Sequence, residues 1–291
     1  MWFIFALLSL IFAGLQSFFQ KVGAERRYDT FLLSAVSALF SSVCAFILML
    51  FIVTPEQVEP LFYIYAIVSG VLFLGFTVTR LESLHFIDSA IFFPLYKVGG
   101  PALVAAFGIL WFHDKVSPLE LAGIVLSCLI PLLLITRQEN HRQRNLRLGL
   151  LFMLVSTVLS AIAIAINTLA VKSGPDLSLP LVAIANGFAA LVGILLFARR
   201  HKQAGFITSL RDHVTRPMLL LGFVIGIMQL LSFYLLLLAI AANDLSIVYS
   251  INAHYILIPV VLSVWLYKEH WNVQKAIALV LSILALILLH P

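Results

Sequence analysis

Lys97 is the residue whose type and position most constrain the chemistry of this chain. It is the one formal charge in the stretch from Ser89 to Phe112, SAIFFPLYKVGGPALVAAFGILWF. Read as a helix, that stretch puts Lys97 about 12 Å from its near end and about 22 Å from its far end. A lysine stem does not comfortably snorkel that far. An ammonium at bilayer depth costs on the order of 2.5–17 kcal/mol, so it belongs to a cavity or a partner and not to lipid. Pro94 and Pro101 flank it, and Gly99-Gly100 follows it. The prolines weaken the helical ladder and the glycines admit close approach. An unwound stretch beside the cation is therefore expected, of the kind with which a transporter holds an anion. A lysine paired with a buried carbonyl or carboxylate is the purely structural alternative.

His254 lies near the middle of a second apolar stretch, within SINAHYILIP. Histidine titrates near neutral pH and is a candidate carrier of a coupling proton; a hydrogen-bonded packing role accounts for it equally. Asn252 shares that expectation. Tyr96, Tyr249, Tyr255 and Tyr234 offer aromatic walls with polar tips, although most aromatic residues in such a chain pack in the core or face lipid. Asn186 and Gln229 are the better uncharged candidates to line a cavity. Asn167, Gln16 and Ser232 are accounted for by interhelical hydrogen bonds of about 0.6–2 kcal/mol. The expected substrate-binding set is thus Lys97, His254, Tyr96, Asn252, Asn186, Gln229 and Tyr249.

The remaining titratable groups read as structural. Asp88 and Asp244 fall near the starts of apolar stretches, where a carboxylate caps a helix. Asp114 and Glu269 belong to interfacial turns, and Glu82 is a local ion-pair partner for Arg80. Cys44 and Cys128 lie in apolar stretches and read as packed small residues. No Gly-rich phosphate loop, metalloprotease helix or nucleophile elbow occurs, and His113-Asp114 is too slight for a metal or acid–base site. No catalytic set, metal site or cofactor is expected.

The elements that would position these residues are membrane spans. Of the 291 residues 62% are apolar and 11% charged, against about 45–50% and 25% in a soluble domain. A span needs about 20 mostly apolar residues. Ten stretches qualify: 2–20, 31–53, 61–79, 88–112, 117–136, 147–171, 179–198, 217–240, 245–267 and 273–290. Their apolar runs are continuous, which favours helices over a barrel. The first, without a basic n-region or cleavage site, reads as a retained helix. The net charge of +5 falls in short loops and not on one basic face, so no nucleic-acid partner is expected.

The chain also repeats itself. Gln16-Ser17, Lys21 and Gly23 are matched 151 residues later by Asn167-Thr168, Lys172 and Gly174; Asp88 answers to Asp244, and Asp114 to Glu269. Two halves, 1–140 and 141–291, each of five spans, is the economical reading. Five is odd, so the halves insert with opposite topology, the inverted-repeat plan of many secondary transporters. The alternating loops split 15 against 2 of the 18 basic residues, the minor set being Lys115 and Lys172. The positive-inside rule then places both termini outside.

The last two spans of each half read SLHFIDSAIFFPLY…ILWFHDKVSPLELAGIVL, from Ser83 to Leu126, and LAIAANDLSIVYSI…VWLYKEHWNVQKAIALV, from Leu238 to Val280. Here the chain resembles the drug/metabolite transporter superfamily, EamA-type, over essentially its whole length. There are departures. The arginine usual early in the second span is missing, with Ser34 nearest and Asn186 in the second half; Glu56 and Glu59 stand where many relatives are basic. The family is commonly drawn with both termini in the cytoplasm, against the charge count.

The expectation is an all-α, ten-helix secondary active transporter of a bacterial inner membrane or plasma membrane, monomeric or homodimeric. It would export a small anionic or zwitterionic metabolite, such as an amino acid or organic acid, by alternating access. The solute would bind near the midplane between the third, fourth, eighth and ninth spans. A drug or amine efflux protein would require a carboxylate in the cavity. An intramembrane enzyme would require convergent titratable groups, and a non-transporting scaffold a sealed bundle with Lys97 salt-bridged.

Overall fold

The structure, a computed structural model, describes residues 1–52, 60–87, 89–134, 145–174, 177–201, 210, 213–267 and 273–290. Among them there is no strand. The helices are α1 (Trp2–Glu25), α2 (Thr30–Ile52), α3 (Pro60–Phe86), α4 (Ser89–Leu110), α5 (Pro118–Leu133), α6 (Leu146–Ser173), α7 (Ser178–Arg200) and α8 (Arg216–Ala242). They continue with α9 (Leu245–Ala253), a 3₁₀ turn (His254–Ile256), α10 (Leu257–Tyr267) and α11 (Val273–Leu288). Seven segments are long and apolar enough to cross a membrane: those of α1, α2, α3, α6, α7, α8 and the α9–α10 pair. Apolar stretches in α4, α5 and α11 are shorter. Large apolar side chains are left outside, Phe51 at 83% and Trp265 at 75% exposure, as lipid and not water requires. This is an all-helical integral membrane protein.

Local sequence sets the helix starts. Asp29 Oδ1 accepts the N–H groups of Phe31 and Leu32 at 3.0 Å each, opening α2. Ser117 and Glu120 form a reciprocal capping box at α5, with Pro118 at its first turn, and Asn145 and Thr215 cap α6 and α8. Each device satisfies N–H groups that no intrahelical carbonyl can reach.

The expected unwinding beside Lys97 does not occur. α4 is helical from Ser89 through Leu110 despite both prolines. The interruption falls in the apolar segment 245–267, where α9 passes through the 3₁₀ turn into α10. Pro259 is the cause, because it has no N–H for the carbonyl of Tyr255 and its ring crowds that carbonyl.

α1 packs against α8, and α6 against α3; α2 lies on α7, α5 on α11, and α9 on α4. Gly226 lets α8 close on α2, since a Cβ there would stand 2.6 Å from the Ser37 carbonyl oxygen. At one end the termini of α1, α2, α7 and α8 share a small apolar core of Phe19, Leu33, Phe197 and Met218. Arg200 reaches Asp29 there at 3.6 Å, and Lys21, Arg26, Arg27, Arg199 and Arg216 make this the basic end. At the opposite end Lys172 Nζ lies 5.3 Å from the Phe112 ring centre. Phe3 and His290 meet there with ring centres 4.6 Å apart, so the first and last helices finish side by side.

That opposite end is held by two aspartates. Asp244 stands at the N-cap position of α9, as its place in the sequence predicts, but its side chain makes no cap bond. Its carboxylate instead accepts the Lys115 N–H at 3.2 Å. The cap comes from the α4–α5 turn: Asp114 Oδ2 accepts both the N–H and the hydroxyl of Ser246 at 2.8 Å. His113, at φ 55°, turns the chain so that Asp114 can reach across. Asp88, Glu269, Glu56 and Glu59 lie outside the described residues.

Candidate binding cavity

A cavity of about 670 Å³ lies inside the bundle. Residues of α1, α2, α3, α4, α6, α7, α8, α9 and the 3₁₀ turn line it, a wider frame than the four spans expected. Lys97, Tyr96 and Gly100 enter from α4, and Arg80 from α3. Gln229 comes from α8, Asn186 from α7, Asn167 from α6, Tyr249 and Asn252 from α9, and Tyr255 from the 3₁₀ turn. Toward the basic end the lining continues through Gln20, Tyr28, Phe31 and Leu196. No lining residue belongs to the α4–α5 or α8–α9 turns. The space is a vestibule directed at the basic end.

Six of the seven residues of the expected set meet around this cavity: Lys97, Tyr96, Asn252, Asn186, Gln229 and Tyr249. His254 does not. It is buried with its Nδ1 2.9 Å from the Ser250 carbonyl oxygen and 3.1 Å from that of Ile251. Tyr255, its neighbour in the 3₁₀ turn, faces the cavity instead, with Lys97 Nζ 4.0 Å from its ring centre. Lys97 is half-buried and has no ion-pair partner among the described residues. A cation over a ring face is attracted but is not paired as it would be by a carboxylate.

Arg80 is the functional candidate that the sequence reading passed over. α3 runs to Phe86, seven residues past the expected end of the third span, so Arg80 falls inside the helix with its guanidinium carbon 5.9 Å from the Tyr96 ring centre. The absence of proline and glycine from RLESLHF, residues 80–86, was the available signal. Two cations therefore line the cavity, and no carboxylate does, among the described residues.

The uncharged polar groups form a ladder between helices. Gln16 donates to Gln229 Oε1 at 3.3 Å, Gln229 donates to Asn186 Oδ1 at 2.6 Å, and Asn186 donates to Ser41 Oγ at 2.8 Å. On the other flank Ser69 donates to Asn167 Oδ1 at 2.6 Å. Asn252 donates to Ser9 Oγ at 2.8 Å, and Ser9 passes its hydroxyl hydrogen to the Ser232 carbonyl. These bonds tie α1, α2, α3, α6, α7, α8 and α9 around the space. Asn186 has both ends of its amide engaged, so it shapes the cavity more than it offers a free hydrogen bond.

No family model matches the chain, and no curated protein matches it. Among solved structures, 29 chains match. One, described only as "Crystal structure of protein", superposes with a TM-score of 0.77 at 13% identity, covering 99% of this chain and 97% of that one. At that identity the likeness shows the fold alone, over the full length of the chain.

Proposed function

We propose that this protein is a secondary active transporter that carries a small anionic or zwitterionic metabolite, an amino acid or organic acid, by alternating access. The observation that carries the reading is Lys97, without an ion-pair partner among the described residues, in a cavity whose described lining holds no carboxylate. A cation at membrane depth is costly unless a counter-charge visits it. That balance favours an anion, and favours a zwitterion less, because its ammonium would find only amides and ring faces. A lipophilic amine would find two repelling charges, which weighs against drug or amine efflux. The cavity itself weighs against a sealed scaffold.

The ten-helix plan of two inverted halves, divided near residue 140, is part of the proposal. Its support is the packing: α1 on α8 mirrors α6 on α3, while α2–α7, α4–α9 and α5–α11 each pair an element with its counterpart. Adjacent first and last helices fit an even number of crossings. The resemblance of the fourth and fifth spans of each half to EamA-type drug/metabolite transporters fits the same plan. With the basic end in the cytoplasm, the vestibule faces inward and both termini lie outside, in a bacterial inner membrane or plasma membrane.

The test is counterflow in proteoliposomes preloaded with pooled organic acids or amino acids. Accumulation of a labelled acid should occur, and Arg80→Gln and Lys97→Gln should each raise its KM tenfold or more, on the order of losing one buried charge contact. If one anion bridges both cations, the double variant should lose less than the product of the singles. Wild-type counterflow in both single variants would sink the reading.

A further inference from the structure

The end of the bundle away from the vestibule holds a buried carboxylate with half of its bonding incomplete. Asp114 is 8% exposed. Its Oδ2 takes both donors of Ser246, whereas Oδ1, also buried, has no hydrogen-bond donor among the described residues. A buried acceptor left unpaired is costly, the more so on a charged group. The carboxyl of Asp244 lies within hydrogen-bonding reach of that of Asp114. While both are ionised it cannot help, because carboxylates only accept.

One proton completes the set. On neutral Asp244 one oxygen continues to accept the Lys115 N–H, and the other carries an O–H for Asp114 Oδ1. Asp244 is only half-buried, so the proton reaches the pair from water through Asp244 and not through Asp114. Two carboxyl groups that share a site do not both ionise readily. Burial, and then the Asp114 charge, raise the Asp244 carboxyl above the usual carboxylate range. Lys172, at the end of α6, acts the other way. His113 and Lys115 of the α4–α5 turn are exposed, and Glu120 of α5 is engaged by the Ser117 N–H. His290 stands against Phe3, beside the amino terminus. The stretch from Ala239 to Ser250 brings no charge besides Asp244, and Asp176 lies outside the described residues.

We infer that Asp114 and Asp244 form a proton-binding site, in which neutral Asp244 donates to Asp114 Oδ1 and latches the α8–α9 turn to the α4–α5 turn. Loss of the proton to water leaves two carboxylates facing each other and pushes these turns apart. The strain falls on the start of α9, the helix that leads into the 3₁₀ turn presenting Tyr255 to Lys97. In the orientation proposed above the latch faces outside, so external acid holds the outer end shut. That consequence rests on the transport reading; the proton site does not.

Infrared difference spectroscopy of the whole protein in liposomes, titrated with pH, reads the site without a substrate. A protonated-carboxyl C=O band should persist above about pH 4, the ordinary carboxylate value, and should be missing from Asp244→Asn. Asp114→Asn keeps an oxygen for Ser246 and places an amide N–H₂ against Asp244, where it favours the ionised form. It should lower the proton affinity of Asp244 about tenfold or more. Hydrogen exchange of peptides covering 110–117 and 244–250, corrected for the intrinsic pH dependence, should slow as the wild type takes up the proton. In Asp244→Asn it should be slow throughout. A band that Asp244→Asn leaves intact, an affinity unmoved in Asp114→Asn, or wild-type exchange indifferent to the titration would overturn the assignment. Neither measurement involves flux, so a failed counterflow assay would count against the transport reading alone.

Discussion

The ammonium of Lys97 stands 4.0 Å from the centre of the Tyr255 ring, so a cation of α4 is held by the break between α9 and α10. The contact is worth about 0.5–2 kcal/mol and positions the charge without cancelling it. Lys97→Ala should therefore abolish flux while leaving thermal unfolding unchanged or slightly raised, since a half-buried charge is removed. Tyr255→Phe keeps the ring face and should behave as wild type. Tyr255→Ala frees the lysine stem and should raise KM several-fold with maximal rate retained. Liposome flux and a melting curve on each variant check the set; normal flux in Lys97→Ala would remove that residue from the pathway.

Gly100 serves space and not helix contact. A Cβ there would meet no atom within 4 Å, whereas one at Gly99 would stand 3.3 Å from Thr157 Cγ2. Gly100→Ala should thus be tolerated and gain up to about 1 kcal/mol of helix propensity. Gly100→Leu sends its side chain into the cavity and should cut flux sharply at undiminished melting temperature. A Gly100→Leu protein with wild-type flux would mean that solute does not pass this point.

Much of this arrangement was legible in the sequence. Uncharged runs between polar punctuation locate the helices, and one lysine deep in such a run announces a cavity. What periodicity could not settle is direction. Consecutive helical residues point about 100° apart, and the 3₁₀ turn at His254–Ile256 shifts that phase, so which of His254 and Tyr255 meets Lys97 depends on a break that Pro259 produces. Arg80 was obscured by reading a charge as the end of a span, although α3 continues through it. The amides of Gln16, Gln229 and Asn186 were recognisable as interhelical glue, but their partners lie more than 40 residues apart and only the fold brings them together.

Asp244 gives the closed end a pH dependence. Partial burial, foremost, and then the Asp114 charge raise its carboxyl above the usual carboxylate range, while the Lys115 N–H and Lys172 oppose the shift. An acid that holds its proton more tightly when folded penalises the fold once ionised. The penalty is absent below about pH 4, the ordinary carboxylate value, grows as pH rises through the folded-state value, and is complete above it. Asp244→Asn keeps an acceptor for the Lys115 N–H and cannot ionise. Its melting temperature should exceed wild type at neutral pH by no more than a few degrees, because the partly exposed pair is screened, and the gain should vanish near pH 4. A lower melting temperature at neutral pH would show that attraction to Lys172 outweighs the repulsion.

Asp114 and Ser246 join the two turns at the end away from the vestibule, and the bond there is asymmetric. Asp114 Oδ2 takes both donors of Ser246, and the carboxylate is 8% exposed. Ser246→Ala deletes one donor and leaves the backbone N–H satisfied, so it should cost only about 0.5–1.5 kcal/mol. Asp114→Ala strands a helix N-terminal N–H and a hydroxyl in a buried place, which adds a desolvation penalty of about 1–3 kcal/mol. In the absence of Asp114 the serine hydroxyl has nothing to bond, so Ser246→Ala should then be neutral or stabilising, because it removes a stranded polar group. The two substitutions should therefore couple by about 0.5–3 kcal/mol in a double-mutant cycle of unfolding free energies. Gly108→Ala drives a methyl group into the same carboxylate and the Ser246 N–H, and should mimic Asp114→Ala without removing any charge. Additive losses in the cycle, or a Gly108→Ala protein of wild-type stability, would mean that the turns are held together by something other than this carboxylate.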